Sequence, residues 1–151
     1  PWWQTDFPLL HYRVPAWISW RYRIRGLLYW GGLSFWQHAE DPWTVPETYD
    51  LRKKQGKGPI YNGEGCLVYP GRDVGYDGIA PSLRLTALRD SIEDYEYLAI
   101  LERMGRAADA EKVVMPLADS WYHWNPDPAA YAKARAALAD LIVKARREGS
   151  R

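Results

Sequence analysis

Two short apolar segments, LLYW at residues 27–30 and CLVY at residues 66–69, constrain the fold of this chain more than any other feature. Neither segment shows the polar alternation of a strand with one solvated face. Each is therefore predicted to be a strand covered on both faces, which is typical of a parallel sheet. Two such strands do not form a stable sheet in water. We therefore expect an α/β fold whose other strands lie upstream in a longer polypeptide or in another subunit.

A helix is predicted before the first apolar segment, because apolar residues recur at near-helical steps between Leu10 and Ile24. Pro15 suits the first turn of a helix better than its middle, so the helix is predicted to begin at about Val14. Gly26 is the predicted stop, since glycine is favoured just past the C-terminus of a helix.

The longest predicted helix spans residues 82–105, with Ser82 as its N-cap and Gly105 as its stop. Its apolar stripe steps by three and four residues and consists of Leu85, Leu88, Ile92, Tyr95 and Ala99. Two further helices are predicted over about residues 107–121 and 129–147, on either side of an NPDP turn. The chain is thus expected to be helix-rich and to end in a helical pair.

Aromatic residues are concentrated where the predicted strands end. The chain has nine Trp and eleven Tyr but two Phe, and Trp and Tyr combine a flat apolar face with a hydrogen-bonding edge. Trp30 and Tyr69 end the two predicted strands, while Trp36 and Trp43 follow the first strand in the long loop that leads through residues 37–65. In a parallel barrel these positions share the open face that binds ligands. We predict that the four side chains form the wall of a sugar site, because a sugar ring has a C–H face and a rim of hydroxyls.

Charge and cysteine content exclude several classes of protein. The 20 Lys and Arg nearly balance the 19 Asp and Glu, and a net charge of +1 gives no reason to expect a nucleic-acid or membrane-surface partner. The single cysteine, Cys66, rules out an internal disulfide framework. We expect no membrane span and see no leader peptide. Because the sequence begins at Pro1, we expect a removed methionine or a piece of a longer polypeptide, and the cellular compartment stays open.

The carboxylates of the 82–105 helix are predicted to be structural. Glu93, Asp94 and Glu96 share this stretch with basic residues, and Arg89 and Glu93 have the i,i+4 spacing of a helical ion pair. We expect these charges to fix the helix against its neighbours rather than to catalyse a reaction.

Three loop carboxylates, Glu40, Asp41 and Glu64, are candidates for hydrogen bonds to sugar hydroxyls. A catalytic role would require a second carboxyl at a set separation, which the sequence does not show. The three histidines lack metal-ligand spacing, and there is no nucleophile elbow, phosphate loop or dinucleotide fingerprint. No metal and no cofactor are predicted.

Four motifs together resemble the C-terminal part of the catalytic domain of glycoside hydrolase family 123. They are GLLYW, DPW, NGEGCLVYPG and SLRLTALRDSIEDYEYLAIL, and the resemblance covers about residues 17–105. The sequence departs from the family pattern at Glu64, where Asp is usual, and at Ser91, where Gly is usual.

The resemblance implies a (β/α)₈ TIM-type barrel of about 250 residues. We predict that residues 1–105 are the C-terminal portion of this barrel, with its last two strands and helices, and that the two helices predicted from the sequence form a helical hairpin over residues 106–151. The resemblance also implies hydrolysis of β-linked N-acetylgalactosamine by a substrate-assisted route, in which the substrate's acetamido oxygen attacks the anomeric carbon. It places the catalytic Asp–Glu pair upstream, so no catalytic residue is assigned in this chain, and the piece alone is expected to be inactive. The implied partners are a carbohydrate and the upstream barrel segment or another subunit.

Two other interpretations of the sequence stay open. The chain could be a non-catalytic carbohydrate-binding or scaffolding module that has lost the chemistry, which an Asp–Glu pair upstream would argue against. It could also be a self-contained α-rich domain whose tryptophans only fill the core, in which case it would be a folded monomer that does not respond to sugars.

Overall fold

The computed structural model describes residues 1–38 and 41–149, apart from the side chains of Gln37 and His38. The helices and strands in these ranges are α1 (Leu10–Arg21), β1 (Glu47–Asp50), α2 (Leu51–Gln55), β2 (Ile60–Asn62), β3 (Val68–Pro70), β4 (Ile79–Pro81), α3 (Leu83–Arg103), α4 (Ala107–Val114) and α5 (Pro128–Gly149). They belong to two compact units. The hairpin unit comprises residues 2–11 and 27–87, and the helical unit comprises Pro1, residues 12–26 and the chain from residue 88 onward. None of these helices is long and apolar enough to span a membrane.

Helix α1 begins earlier than predicted, and Pro15 lies inside it rather than in its first turn. A proline in the helix interior cannot donate to the carbonyl four residues before it, here that of His11. The indole of Trp3 donates to this carbonyl instead, with its Nε1 at 2.8 Å from the His11 oxygen. This bond lets the helix continue across the proline.

Helix α1 also ends before the predicted stop at Gly26. Arg23 adopts the left-handed conformation, with φ at 59°. Its N–H donates to Trp20 O at 3.1 Å, and the N–H of Ile24 donates to Ser19 O at 2.8 Å. These two bonds form the Schellman motif that ends many helices, so the chain turns at an arginine where glycine would be the usual residue.

The prediction of two parallel strands is wrong for the residues that the structure describes. The hairpin unit contains two antiparallel pairs, β1 with β2 and β3 with β4. Residues 27–29 form no strand, and the side chain of Leu28 is 91% exposed. The second apolar segment enters a strand only at Val68. A parallel strand needs hydrogen-bonded neighbours on its flanks, and residues 27–29 belong to neither strand pair of the described chain.

The stretch predicted as one long loop over residues 37–65 contains regular structure. Strands β1 and β2 pair across the short helix α2, which Asp50 caps by accepting from Arg52 N at 2.8 Å. Gly56 ends α2 in the left-handed conformation, with φ at 72°. The charged segment that connects β1 and β2 lacks the short turn motif that predicts a hairpin.

Helix α3 agrees with its prediction at both ends. Ser82 Oγ accepts from the N–H of Leu85 at 3.2 Å, which confirms the N-cap. Gly105 has φ at 73° just past the helix, and the N–H of Arg106 donates to Leu101 O at 2.8 Å, which confirms the stop.

The last two helices differ from their predictions to unequal degrees. Helix α5 spans Pro128–Gly149, close to the prediction. Helix α4 ends at Val114 instead of near residue 121, because Pro116 has no N–H with which to continue the i→i−4 hydrogen bonds of the helix. The buried core of the helical unit includes Trp17, Leu98, Leu101, Ala110, Val114, Tyr131 and Leu138. The predicted domain boundary after residue 105 stays a prediction.

The carboxylates of α3 hold the helical unit together. Asp94 is fully buried and accepts from Arg13 Nε at 2.6 Å and from Trp17 Nε1 at 3.1 Å. Arg89 Nε lies 3.7 Å from Glu93 Oε1, which confirms the predicted i,i+4 ion pair. The predicted role in fixing the helix against its neighbours is therefore confirmed for Asp94 and for Glu93, which also pairs with Arg135 on α5, whereas Glu96 pairs with Arg103 on the same helix.

Candidate functional site

The hairpin unit contains a cleft of about 300 Å³ whose walls are mainly aromatic. Its lining residues are Trp30, Phe35, Tyr49, Tyr61 and Glu64. This volume is at the lower end of the range for small-molecule sites, which usually combine apolar and aromatic walls with a few polar groups.

The β1–β2 hairpin positions two of the aromatic rings. Tyr49 and Tyr61 are partners in the strand register, and their ring centroids lie 6.0 Å apart. Thr48 Oγ1 donates to Tyr61 O at 3.0 Å and strengthens the pairing. Directly opposed residues of an antiparallel pair project from the same face of the hairpin, so both tyrosines can line one cleft. Lys54 Nζ lies 4.3 Å from the centroid of the Tyr49 ring.

Among the described residues that line the cleft, Glu64 carries the carboxylate. Its side chain is half-buried, and this burial raises the pKa of its carboxyl above the ordinary value for glutamate. Burial disfavours the charged form of an acid unless a partner compensates for the lost hydration. The cleft thus combines apolar rings with a carboxylate that a ligand's hydrogen-bond donors can reach.

Trp43 and Tyr69 form a second aromatic pair in the hairpin unit. Their ring centroids are 4.8 Å apart, and Trp43 Nε1 donates to Pro70 O at 3.0 Å. Arg84 Nη2 donates to Tyr69 Oη at 2.8 Å. The polar groups of both rings are thus engaged within the protein, while the ring of Trp43 stays partly exposed.

The structure therefore brings two of the four predicted wall residues into contact and places a third in the cleft. Trp30 lines the cleft and is 73% exposed, whereas Trp43 and Tyr69 pack on each other. Trp36 is half-buried and is not among the lining residues. Its Nε1 is shielded from solvent without a hydrogen-bond partner in the part of the chain that the structure describes. Sugar contact by these four residues stays a prediction.

The loop carboxylates have different surroundings. Asp41 accepts from the Trp43 N–H at 2.9 Å and from the hydroxyl of Thr44. These bonds, above all that from Thr44, lower the pKa of the Asp41 carboxyl, and they hold the carboxylate within its own turn. Glu64 lines the cleft. Glu40 lies outside the described residues.

Sequence reasoning missed four residues that build this region. Phe35, Tyr49 and Tyr61 lie within or beside the stretch predicted as loop, and Arg84 lies in the predicted 82–105 helix, among charges expected to fix that helix against its neighbours. Tyr49 and Tyr61 flank the polar segment LRKKQGKGPI. Their separation exceeds the two to five residues of a typical hairpin turn, so the spacing gives no short-range hairpin signal. Arg84 carries no signal either, because its role depends on carbonyl groups from a distant turn.

No cluster of three or more potential metal ligands is present among the described side chains. The sequence profile of the family described as "Glycoside hydrolase 123, catalytic domain" matches residues 4–101, about two thirds of the chain. This range includes the cleft and the Trp43–Tyr69 pair.

A comparison with curated protein sequences finds no match. The profile match covers more than half of the chain and confirms the resemblance in the four sequence motifs. A glycosidase family implies a carbohydrate substrate. The chain therefore belongs to the glycoside hydrolase 123 catalytic-domain family.

Proposed function

We propose that this chain supplies part of the sugar site of a glycosidase that cleaves β-linked N-acetylgalactosamine by the substrate-assisted route. The aromatic cleft lined by Trp30, Phe35, Tyr49 and Tyr61 is the observation that carries the proposal. Flat rings bind the C–H face of a sugar, and a carboxylate at their edge accepts hydrogen bonds from its hydroxyls.

Exposure of Trp30 supports a ligand-binding role. A tryptophan that is 73% exposed leaves a large apolar surface in water, and such surfaces on folded proteins commonly mark binding sites. Because Trp30 borders the cleft, a bound sugar would cover part of this surface.

We assign the catalytic Asp–Glu pair to residues outside this sequence. The adjacent carboxylates of α3 are engaged in contacts within the protein. Asp94 is buried against Arg13 and Trp17, and Glu93 pairs with Arg89 and Arg135. Of the carboxylates that the structure describes, Glu64 lines the cleft. This composition suits a piece that binds the sugar and leaves the proton transfers to other residues.

We also propose that residues 27–30 become a strand of a (β/α)₈ barrel when the remaining strands are present. Their side chains are apolar, yet Leu27 and Leu28 are exposed on a segment without strand partners in the described chain. A parallel strand is apolar on both faces. Neighbouring strands from an upstream segment or another subunit would therefore bury these exposed leucine side chains.

The test uses the native polypeptide that carries this sequence. Its intact mass is expected to lie far above 17.5 kDa, and it is expected to hydrolyse p-nitrophenyl N-acetyl-β-galactosaminide. Trp30→Ala should weaken N-acetylgalactosamine binding roughly 5- to 10-fold, the loss that corresponds to one aromatic contact. Trp121→Ala is the matched control, because Trp121 stacks on Tyr22 in the helical unit.

Each outcome separates the interpretations. Binding without hydrolysis would favour the non-catalytic carbohydrate-binding module. Unchanged binding by Trp30→Ala would refute the aromatic wall. A native polypeptide near 17.5 kDa that neither binds nor hydrolyses the sugar would refute the proposal as a whole.

A further inference from the structure

The turn that carries Glu64 is fixed on its N-terminal side. The N–H of Gly63 donates to Pro46 O at 2.7 Å, and its carbonyl accepts from Arg84 Nη1 at 2.6 Å. Gly63 has φ at 65°, and a Cβ there would lie 2.6 Å from Thr5 Cγ2. Only glycine fits this position without displacing its neighbours.

The turn is equally fixed on its C-terminal side. The N–H of Gly65 donates to Tyr29 Oη at 2.7 Å, and its carbonyl accepts from Phe35 N at 3.0 Å. Gly65 has φ at 74°, and a Cβ there would lie 2.7 Å from Phe35 Cβ. The backbone on both sides of Glu64 is therefore held by hydrogen bonds and by close packing.

The side chain of Glu64 contrasts with this fixed backbone. Within the described ranges, its carboxylate has neither a hydrogen bond nor an ion pair, although it is half-buried among aromatic rings. Asp41, Asp50 and Asp94 all accept hydrogen bonds from the protein. A desolvated carboxylate without a partner is energetically unfavourable, and a rigid turn that holds it there is typical of a group that a ligand completes.

We propose that Glu64 contacts the substrate and selects uncharged sugars, its carboxylate accepting hydrogen bonds from hydroxyls of a sugar stacked in the cleft. This inference rests on the proposed function, because it requires that the cleft bind sugar. A carboxylate accepts from up to two hydroxyls through its two oxygens. The negative charge of the Glu64 carboxylate repels sulfated sugars and uronic acids, because like charges repel each other more strongly where water is partly excluded.

The test compares Glu64→Gln with Glu47→Gln in the native polypeptide. Glu47 lies on β1, pairs with Lys53 at 3.7 Å, and is not a lining residue, so it controls for loss of one charge on the same unit. The probes are methyl N-acetyl-β-galactosaminide and its 6-sulfate, with affinities from titration calorimetry and stability from thermal unfolding.

Glu64→Gln should bind the neutral sugar roughly 10- to 100-fold more weakly, which corresponds to the loss of a hydrogen bond to a charged acceptor. Its preference for the neutral over the sulfated sugar should also fall. Its melting temperature should not decrease, because no protein group loses a partner. Glu47→Gln should bind both sugars like the wild type.

Three results would overturn the assignment. Wild-type affinity of Glu64→Gln for the neutral sugar, with weakened binding by Trp30→Ala, would remove Glu64 from the site and leave the proposed function standing. A melting temperature far below that of Glu47→Gln would show that the carboxylate is structural. Absence of sugar binding by the wild type would refute both proposals together.

Discussion

Replacement of Asp94 by alanine tests whether the carboxylate motif of α3 is structural. Asp94 is fully buried, and its two oxygens accept from Arg13 Nε at 2.6 Å, Arg13 Nη2 at 3.1 Å and Trp17 Nε1 at 3.1 Å. Arg135 Nη1 lies 3.4 Å from the same carboxylate. One side chain thus joins α1, α3 and α5 within the helical unit.

The expected loss of stability follows from this geometry. Removal of one partner from a buried ion pair costs about 3–5 kcal/mol, because the other charge stays without compensation. The side chains of Arg13 and Arg135 are 18% and 27% exposed, so water can partly solvate them once Asp94 is gone. We therefore expect Asp94→Ala to lower the free energy of unfolding by about 3 kcal/mol, at the lower end of that range.

Urea unfolding of the native polypeptide, followed by circular dichroism, measures this loss. Glu96→Ala is the matched control on the same helix, because Glu96 is 60% exposed and its ion pair, with Arg103 at 3.7 Å, lies on the surface of that helix. Its effect should stay within about 0.5 kcal/mol, as for most surface substitutions. Folded Asp94→Ala protein should keep its hydrolytic rate constant. A loss below about 1 kcal/mol, or a folded variant without activity, would refute the structural assignment.

Two further predictions concern the turn around Glu64. Gly63→Ala should destabilise the native polypeptide by more than about 1 kcal/mol, the cost of left-handed strain alone, because the added Cβ would also lie 2.6 Å from Thr5 and 2.8 Å from Arg84. Gly75→Ala is the control, since Gly75 has φ at 76° but open space around it, and it should cost only the strain. Equal losses of stability in urea unfolding would contradict this reasoning. Burial raises the pKa of Glu64 in the folded state, so its contribution to stability is greatest below the unfolded pKa of about 4 and falls as pH rises through the folded pKa. Glu64→Gln should therefore be at least as stable as the wild type at neutral pH, and the two should converge below about pH 4; a gap that widens on acidification would show the opposite shift.

The sequence alone determined the features that depend on neighbours in the chain. Ser82 and Gly105 define the ends of α3, because a cap and a left-handed residue act within one turn of the helix. The i,i+4 pair of Arg89 and Glu93 is local for the same reason. The four motifs identified the family, since they preserve the residue order of one strand–loop–helix segment.

Other features depend on groups that are distant in the sequence, and only the tertiary structure decided them. Pro15 lies inside α1 because the Trp3 indole occupies the carbonyl that the proline leaves free. The strand at residues 27–30 did not form, because strand formation requires partners that no local pattern supplies. The end of α1 is a different case, because the bonds that form its Schellman motif are local, but an arginine at the left-handed position, unlike glycine, gives no signal in the sequence.

The cleft shows the same division. Aromatic composition predicted a sugar wall, and Trp30 does line a cleft, but its companions Tyr49 and Tyr61 come from a hairpin that a charged turn concealed. The surroundings of Glu64 are also tertiary, because the bonds that fix its turn come from residues up to 36 positions away. The type of a residue determines which chemistry its side chain can perform. The folded chain decides which side chains meet, since contacts between distant segments depend on backbone pairing and packing that short sequence patterns do not encode.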